Sequence, residues 1–250
     1  MGRTGKDPGT TLGLVIADLM KYTWLRPIRP KHVLSFDEAI MTISRDNLIA
    51  WLEKLSGVMK DNRDFLTELD AAIGDADHGI NMDRGFGKVL EKLPTLKEKD
   101  LGIILKTVGM TLMSSVGGAS GPLYGTFYMK AGIALAGKEE IDAPGLVTFL
   151  EAGVEGIHQR GRPERGDKTM YDVWAPVLDT VEAAIDGGAS VKDAIARAVE
   201  AAEQGVQDTI PLQARKGRAS YLGERSIGHR DPGAMSSCLM IRALYEILTA

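Results

Sequence analysis

The sequence predicts an all-α domain of about eight or nine helices, and three observations carry that prediction. In "SRDNLIAWLEKLSGVMKD" the apolar residues Leu48, Leu52, Leu55 and Met59 recur at steps of three and four, the spacing of one buried helical face. Nowhere do β-branched and polar residues alternate over the length of a strand. The linkers between periodic stretches are short and rich in Gly, Pro and Asp.

Taken in order, the first helix follows Ser44, and similar periodicity covers residues 62–70, 80–92, 100–115, 121–136, 144–159, 168–185, 190–208 and 233–249. Asp70 closes the second helix, and Asp77 stands where a capping residue for the third belongs. Pro122 suits the first turn of the fifth, with Ser120 as its N-cap. Asp167 is expected to cap a seventh helix starting at Lys168. The last helix follows "HRDPG" and carries Cys238, expected to be a small buried helix residue. No internal repeat is detectable.

Composition bounds the function. The 250 residues with 44% hydrophobic content can fill a substantial core. A balance of 30 Lys+Arg against 34 Asp+Glu gives a net charge of -4, which is not the footprint of a nucleic-acid-binding protein. A single cysteine excludes an internal disulfide and a cysteine-based zinc site, and fits a reducing cytoplasm. No apolar run approaches the roughly 18 residues of a membrane-spanning helix. Thr10 to Met20 comes nearest to a signal peptide, but Asp18 interrupts it and no small-residue cleavage site follows. Residues 1–41 mix Gly, Pro and basic residues, including "LRPIRPKH", and read as an extension or appended segment before one domain over 42–250.

"GDADHG", residues 74–79, sets Asp75 and Asp77 between two glycines, with Asp70 just upstream. On a continuous helix, residues two apart point about 200° away from each other. Gly74 and Gly79 break the helix, so a loop can turn both carboxylates inward while Asp70 reaches in from the side. Three ionised carboxylates in close company repel one another unless a cation neutralises them, and a hard divalent ion such as Mg²⁺ does so. The competing reading needs no metal: Asp77 caps a helix and Asp75 makes an Asx turn. A calcium loop of the EF-hand kind is excluded, because Gly79 takes its third ligand position and Phe86 stands where a bidentate Glu is required.

In "SSVGGASGPLYG", residues 114–125, Gly117, Gly118 and Gly121 let backbone N–H groups crowd around an anion at a helix N-terminus, which suggests a phosphate site. "GRPERGDKT", residues 161–169, is not a Walker A motif, since Asp167 separates Gly166 from Lys168 and the segment follows a helix. "QARKGRASYLGERSIGHRDPGAMSS", residues 213–237, is long, irregular and rich in arginine: Arg215, Arg218, Arg225 and Arg230, with Lys216 among them. Long structured loops in compact domains usually serve a site, and arginines are bidentate partners for phosphate.

Together "LDAAIGDADHGINMDRGF", "VGGASGPLYGTF", "RGDKTM" and "ARKGRASYLGERSIGHRDPGA" resemble the nucleotide-binding L subunits of bacterial dihydroxyacetone kinases, over essentially all of residues 42–250. The resemblance implies an antiparallel barrel of eight helices with ADP and two Mg²⁺ ions at one end. It implies metal ligands at Asp70, Asp75 and Asp77, and nucleotide contacts at His78, Gly79, Ile80, Asn81, Ala119, Ser120, Gly161, Met170, Arg218, Asp231, Pro232 and Gly233. In the family's phosphotransferase-system branch, a phosphohistidine on a carrier subunit, M, charges the bound ADP. The resulting ATP then phosphorylates dihydroxyacetone held on a K subunit. The alternatives are an ATP-dependent kinase for another short keto sugar such as erythrulose, and a nucleotide-state-dependent partner of a transcription regulator. A helical scaffold whose aspartates only cap helices is the remaining reading.

Overall fold

The structure, a computed structural model, describes residues 42–250. The expectation of a separate extension at residues 1–41 lies outside them. The described residues form nine α-helices: α1 (Arg45–Asp61), α2 (Arg63–Ile73), α3 (His78–Lys92), α4 (Leu101–Ser115), α5 (Ser120–Ala134), α6 (Ala143–Gly161), α7 (Tyr171–Asp186), α8 (Val191–Asp208) and α9 (Pro232–Leu248). Short 3-10 turns occupy Leu93–Thr95 and Arg218–Ser226. The periodicity places every helix, and the boundaries move by up to three residues.

Local chemistry starts most of these helices. Ser44 and Asn47 bond each other's backbone N–H in a reciprocal cap on α1. Asp100, Asp142, Ser190 and Asp231 accept N–H groups in the first turns of α4, α6, α8 and α9. Two assigned caps differ. Ser120 is the first residue of α5 rather than its N-cap, and Ala119 at the cap makes no side-chain bond. Asp167 caps no helix: α7 starts three residues after Lys168, and the Asp167 carboxylate instead accepts the N–H of Glu164.

α1, α3, α4, α5, α6, α7, α8 and α9 pack each on the next, and α9 returns to α1, closing a ring of eight helices; α2 lies against α3 and α9. α4 and α5 run antiparallel at backbone contact: a Cβ at Gly109 would lie 2.6 Å from the carbonyl oxygen of Gly125. The ring is antiparallel at its closure too: α1 starts beside the start of α6, where Ile43 pairs with Ile141, whereas α9 starts at the opposite end beside His78. α1 and α9 therefore run in opposite directions, joined by the Trp51 Nε1 bond to Met240 O and the Lys54–Glu246 pair. α2 lies outside the ring at that second end, with Arg63 O against Gly79 and Asp70 bonded to Asp77 N–H.

One short strand pair accompanies the helices and leaves the fold all-α. Ile43–Ser44 (β1) pairs antiparallel with Glu140–Ile141 (β2). Two residues are too short to show any alternation in sequence; the pairing follows from bringing the starts of α1 and α6 together. Phe127 centres the core, with ring centroids 4.5 Å from Trp174, 5.3 Å from Tyr128 and 5.6 Å from Phe149. Residues Ala234 to Leu244 of α9 are all buried, small Ala and Ser side chains letting neighbours close in on several sides. Cys238 is buried there as expected, and burial pushes its thiol up to about 12.

Candidate functional site

Alternation of helix direction brings the N-terminal ends of α3, α5, α7 and α9 to one end of the ring. There His78, Ser120, Met170 and Pro232, each at or next to a helix start, line an open cleft of about 860 Å³. Aligned peptide dipoles make each helix start electropositive, so four of them favour an anionic ligand.

The three aspartates share this cleft. One carboxylate oxygen from each lies within 4.8 Å of the others. The two-residue spacing that would separate Asp75 from Asp77 on a helix is overcome at Ala76, whose φ of 60° reverses the chain. Asp77 precedes α3 but makes no capping bond, so its side chain is not committed to the helix. Asp70 Oδ2 accepts the N–H groups of Asp77 at 2.9 Å and His78 at 3.1 Å, fixing the loop and leaving Oδ1 for a cation. Gly74 lets Asp70 sit so, since a Cβ there would fall 2.0 Å from Oδ1. Hard carboxylate oxygens at this spacing fit Mg²⁺. No ligand nitrogen or sulfur is needed.

Behind the loop a buried polar network joins three helix starts. His78 Nε2 lies 2.9 Å from Ser236 Oγ, and its Nδ1 lies 3.2 Å from Ser120 Oγ. Tyr124 OH reaches Ser236 Oγ at 2.7 Å, Ser237 Oγ at 2.8 Å and Gly233 O at 3.1 Å. Burial pulls the His78 imidazole down to about 4 against the field of Asp70, so it is neutral near pH 7. Asp231, also buried, caps α9 through Ala234 N–H, and loss of water pushes its carboxyl up to about 7.

Residues 210–230 form an arm over the cleft. Its Arg218 donates from Nε to Asp75 Oδ2 at 2.8 Å, and Lys216 and Gly217 line the cleft beside it. The other basic residues of this segment, Arg215, Arg225 and Arg230, lie outside the cleft lining.

The cleft thus brings together Asp70, Asp75, Asp77, His78, Asn81, Ala119, Ser120, Met170, Arg218, Asp231, Pro232 and Gly233. Three residues implied by the resemblance are not among its lining. Gly79 packs on α2, where a Cβ would lie 1.9 Å from Arg63 O. Ile80 is 49% exposed, and Gly161 ends α6 beside Leu123. Sequence reasoning did not single out Tyr124, Ser236 and Ser237, and it read Lys168 as the first residue of a helix. No local signal marks them, since their partners are distant in sequence.

The DAK2 domain family matches residues 72–246 of this chain. The chain is 50% identical over 204 residues to the ADP-binding subunit DhaL of the PEP-dependent dihydroxyacetone kinase of Escherichia coli, covering 82% of this chain and 97% of that protein. It is 46% identical to an ADP-binding subunit DhaL of Listeria innocua, over 82% of this chain and 98% of the relative. The crystal structure of the dihydroxyacetone kinase from C. freundii in complex with AMP-PNP and Mg²⁺ superposes with a TM-score of 0.62. That similarity, at 24% identity, covers 88% of this chain and 38% of the other and is one of fold.

Proposed function

The chain belongs to the DAK2 domain family, and on that premise we propose that it is the ADP-binding subunit of a PEP-dependent dihydroxyacetone kinase. It keeps Mg²⁺-ADP as a cofactor, accepts a phosphoryl group onto it from a phosphohistidine carrier subunit, and passes that group to dihydroxyacetone on a K subunit. The observation that carries this reading is the meeting of three carboxylates and four helix starts in one cleft. Acidic side chains alone would repel a diphosphate, and helix dipoles alone would give no place for a cation. The combination suits a metal-bridged polyphosphate.

When bound, two Mg²⁺ ions supply neutralisation of phosphate charge during transfer. Asp70, Asp75 and Asp77 hold them, and the Asp77 and His78 N–H bonds keep Asp70 aimed. Gly117 to Ser120, at the start of α5, line the cleft and offer the anion backbone N–H groups of a helix start. Arg218 approaches from the arm with a guanidinium able to grip phosphate oxygens. No side chain here is placed as a nucleophile, in keeping with a reaction that depends on alignment and charge neutralisation.

Native mass spectrometry of the purified chain tests the proposal. It should show one ADP with two Mg²⁺, converted in place to ATP by a phosphorylated carrier and back to ADP when K subunit and dihydroxyacetone are added. Free exchange with added ATP that alone sustains turnover would replace the relay with an ATP-consuming kinase.

A further inference from the structure

Lys168 lies at the edge of the cleft and, among the described residues, is the charged side chain that is both large and fully buried, at 1% exposure. Its φ of 63° is left-handed, a conformation a non-glycine residue holds only when its surroundings impose it. An ammonium carries three donors. Here they meet four backbone carbonyls: Thr209 at 2.6 Å, Leu212 at 3.2 Å, Ile210 more distantly at 3.5 Å, and His229. Thr209 and Leu212 stand where the chain leaves α8 for the arm, and His229 stands where it returns toward α9.

We propose that Lys168 is a positioning residue that clamps both ends of the 210–230 arm and thereby sets Arg218 against the acidic loop. This rests on the nucleotide reading only for its consequence in binding. Other bonds at the arm's base run between neighbours of the same carbonyls: Gly228 N–H to Ile210 O at 2.8 Å, and Asp231 N–H to Thr209 Oγ1 at 3.1 Å. Arg215 N–H adds a bond to Asp167 O at 3.0 Å, from the residue beside Lys168. The arm's own apolar support is slight. Ala214, Ala219 and Leu222 cluster on Ile73 of α2, and segments with so few buried apolar contacts open locally at low free energy. A charged donor on both ends therefore decides whether the arm stays down. Asp231 and Asp172 favour the charged form of Lys168 against the pull of burial.

Hydrogen exchange on the full chain, stripped of nucleotide and metal, tests this with Lys168→Met and Lys168→Gln. In Lys168→Met the amides of Ala214, Arg215 and Gly228 should exchange about tenfold faster or more, with those of α4 and α5 unchanged. Lys168→Gln, which keeps two donors without the charge, should recover part of the protection. Mg²⁺-ADP should leave Lys168→Met about tenfold faster than it leaves the parent, following the arm. Wild-type exchange in the arm of Lys168→Met would overturn the proposal. So would protection lost equally across α4 and α5, or failure of both variants to fold, either of which would make Lys168 a support of the whole domain. If the arm responds as expected while the parent chain binds no Mg²⁺-ADP, the clamp stands and the nucleotide reading falls.

Discussion

The guanidinium Nε of Arg218 lies 2.8 Å from Oδ2 of Asp75, so the arm reaches the acidic loop through a cation already set against one carboxylate. The pair is exposed, at 69% and 37% of side-chain area, and such pairs are worth only ~0–1 kcal/mol. A divalent ion displaces it easily. Arg218→Gln should therefore raise Mg²⁺ affinity of the nucleotide-free protein by no more than about fivefold in a calorimetric titration. A decrease would mean that Arg218 helps rather than competes at this carboxylate.

Asp75→Asn removes one hard ligand from the acidic trio while leaving an isosteric side chain in an exposed position. Phosphoryl transfer and Mg²⁺-dependent ADP retention should fall by on the order of 10²-fold or more, as expected for loss of metal-borne charge stabilisation. The melting temperature of the stripped protein should scarcely change, because surface substitutions usually cost within about 0.5 kcal/mol. Transfer at the parent rate would show that this carboxylate holds no metal.

Two glycines flanking the acidic pair separate site from scaffold. A methyl at Gly74 would meet Asp70 Oδ1 at 2.0 Å, whereas one at Gly79 would meet Arg63 O at 1.9 Å. Gly74→Ala should push the Asp70 carboxylate aside and weaken Mg²⁺ binding more than it lowers stability, because a side chain can move. Gly79→Ala forces two backbones apart and should cost ~1–3 kcal/mol in urea unfolding.

His78 and Asp231 give opposite pH signatures. Burial lowers the imidazole from 6.5 to about 4, so the unfolded chain binds its proton first and this stabilisation, full above 6.5, is lost as pH falls toward 4. Burial raises the Asp231 carboxyl from 3.8 to about 7, so its contribution is full below 3.8 and lost as pH rises toward 7. Relative to the parent, Asp231→Asn should gain stability as pH rises from 4 to 7. His78→Gln should gain it as pH falls from 6.5 to 4. Denaturant midpoints measured with EDTA and without nucleotide check both slopes, and parallel curves for parent and variant would refute the corresponding shift.

The helices, the acidic and glycine-rich loops and the family resemblance are legible in the residues alone, because periodicity, glycine breaks and caps are properties of a few neighbouring positions. Leu48, Leu52, Leu55 and Met59 declare a buried face before any partner is known, and all four are buried. What only the tertiary structure decided are contacts between residues far apart in the chain. Ser120, read as a cap, turns to His78 instead, and Lys168, read as helical, is surrounded by carbonyls from both ends of the arm. The same is true of Tyr124 meeting Ser236, and of Trp51 of α1 meeting Met240 of α9. Polar side chains take whichever buried partner ring closure brings within reach, since leaving one unpaired costs more than a local cap returns. Closure of the eight-helix ring, which no local pattern encodes, chose those partners.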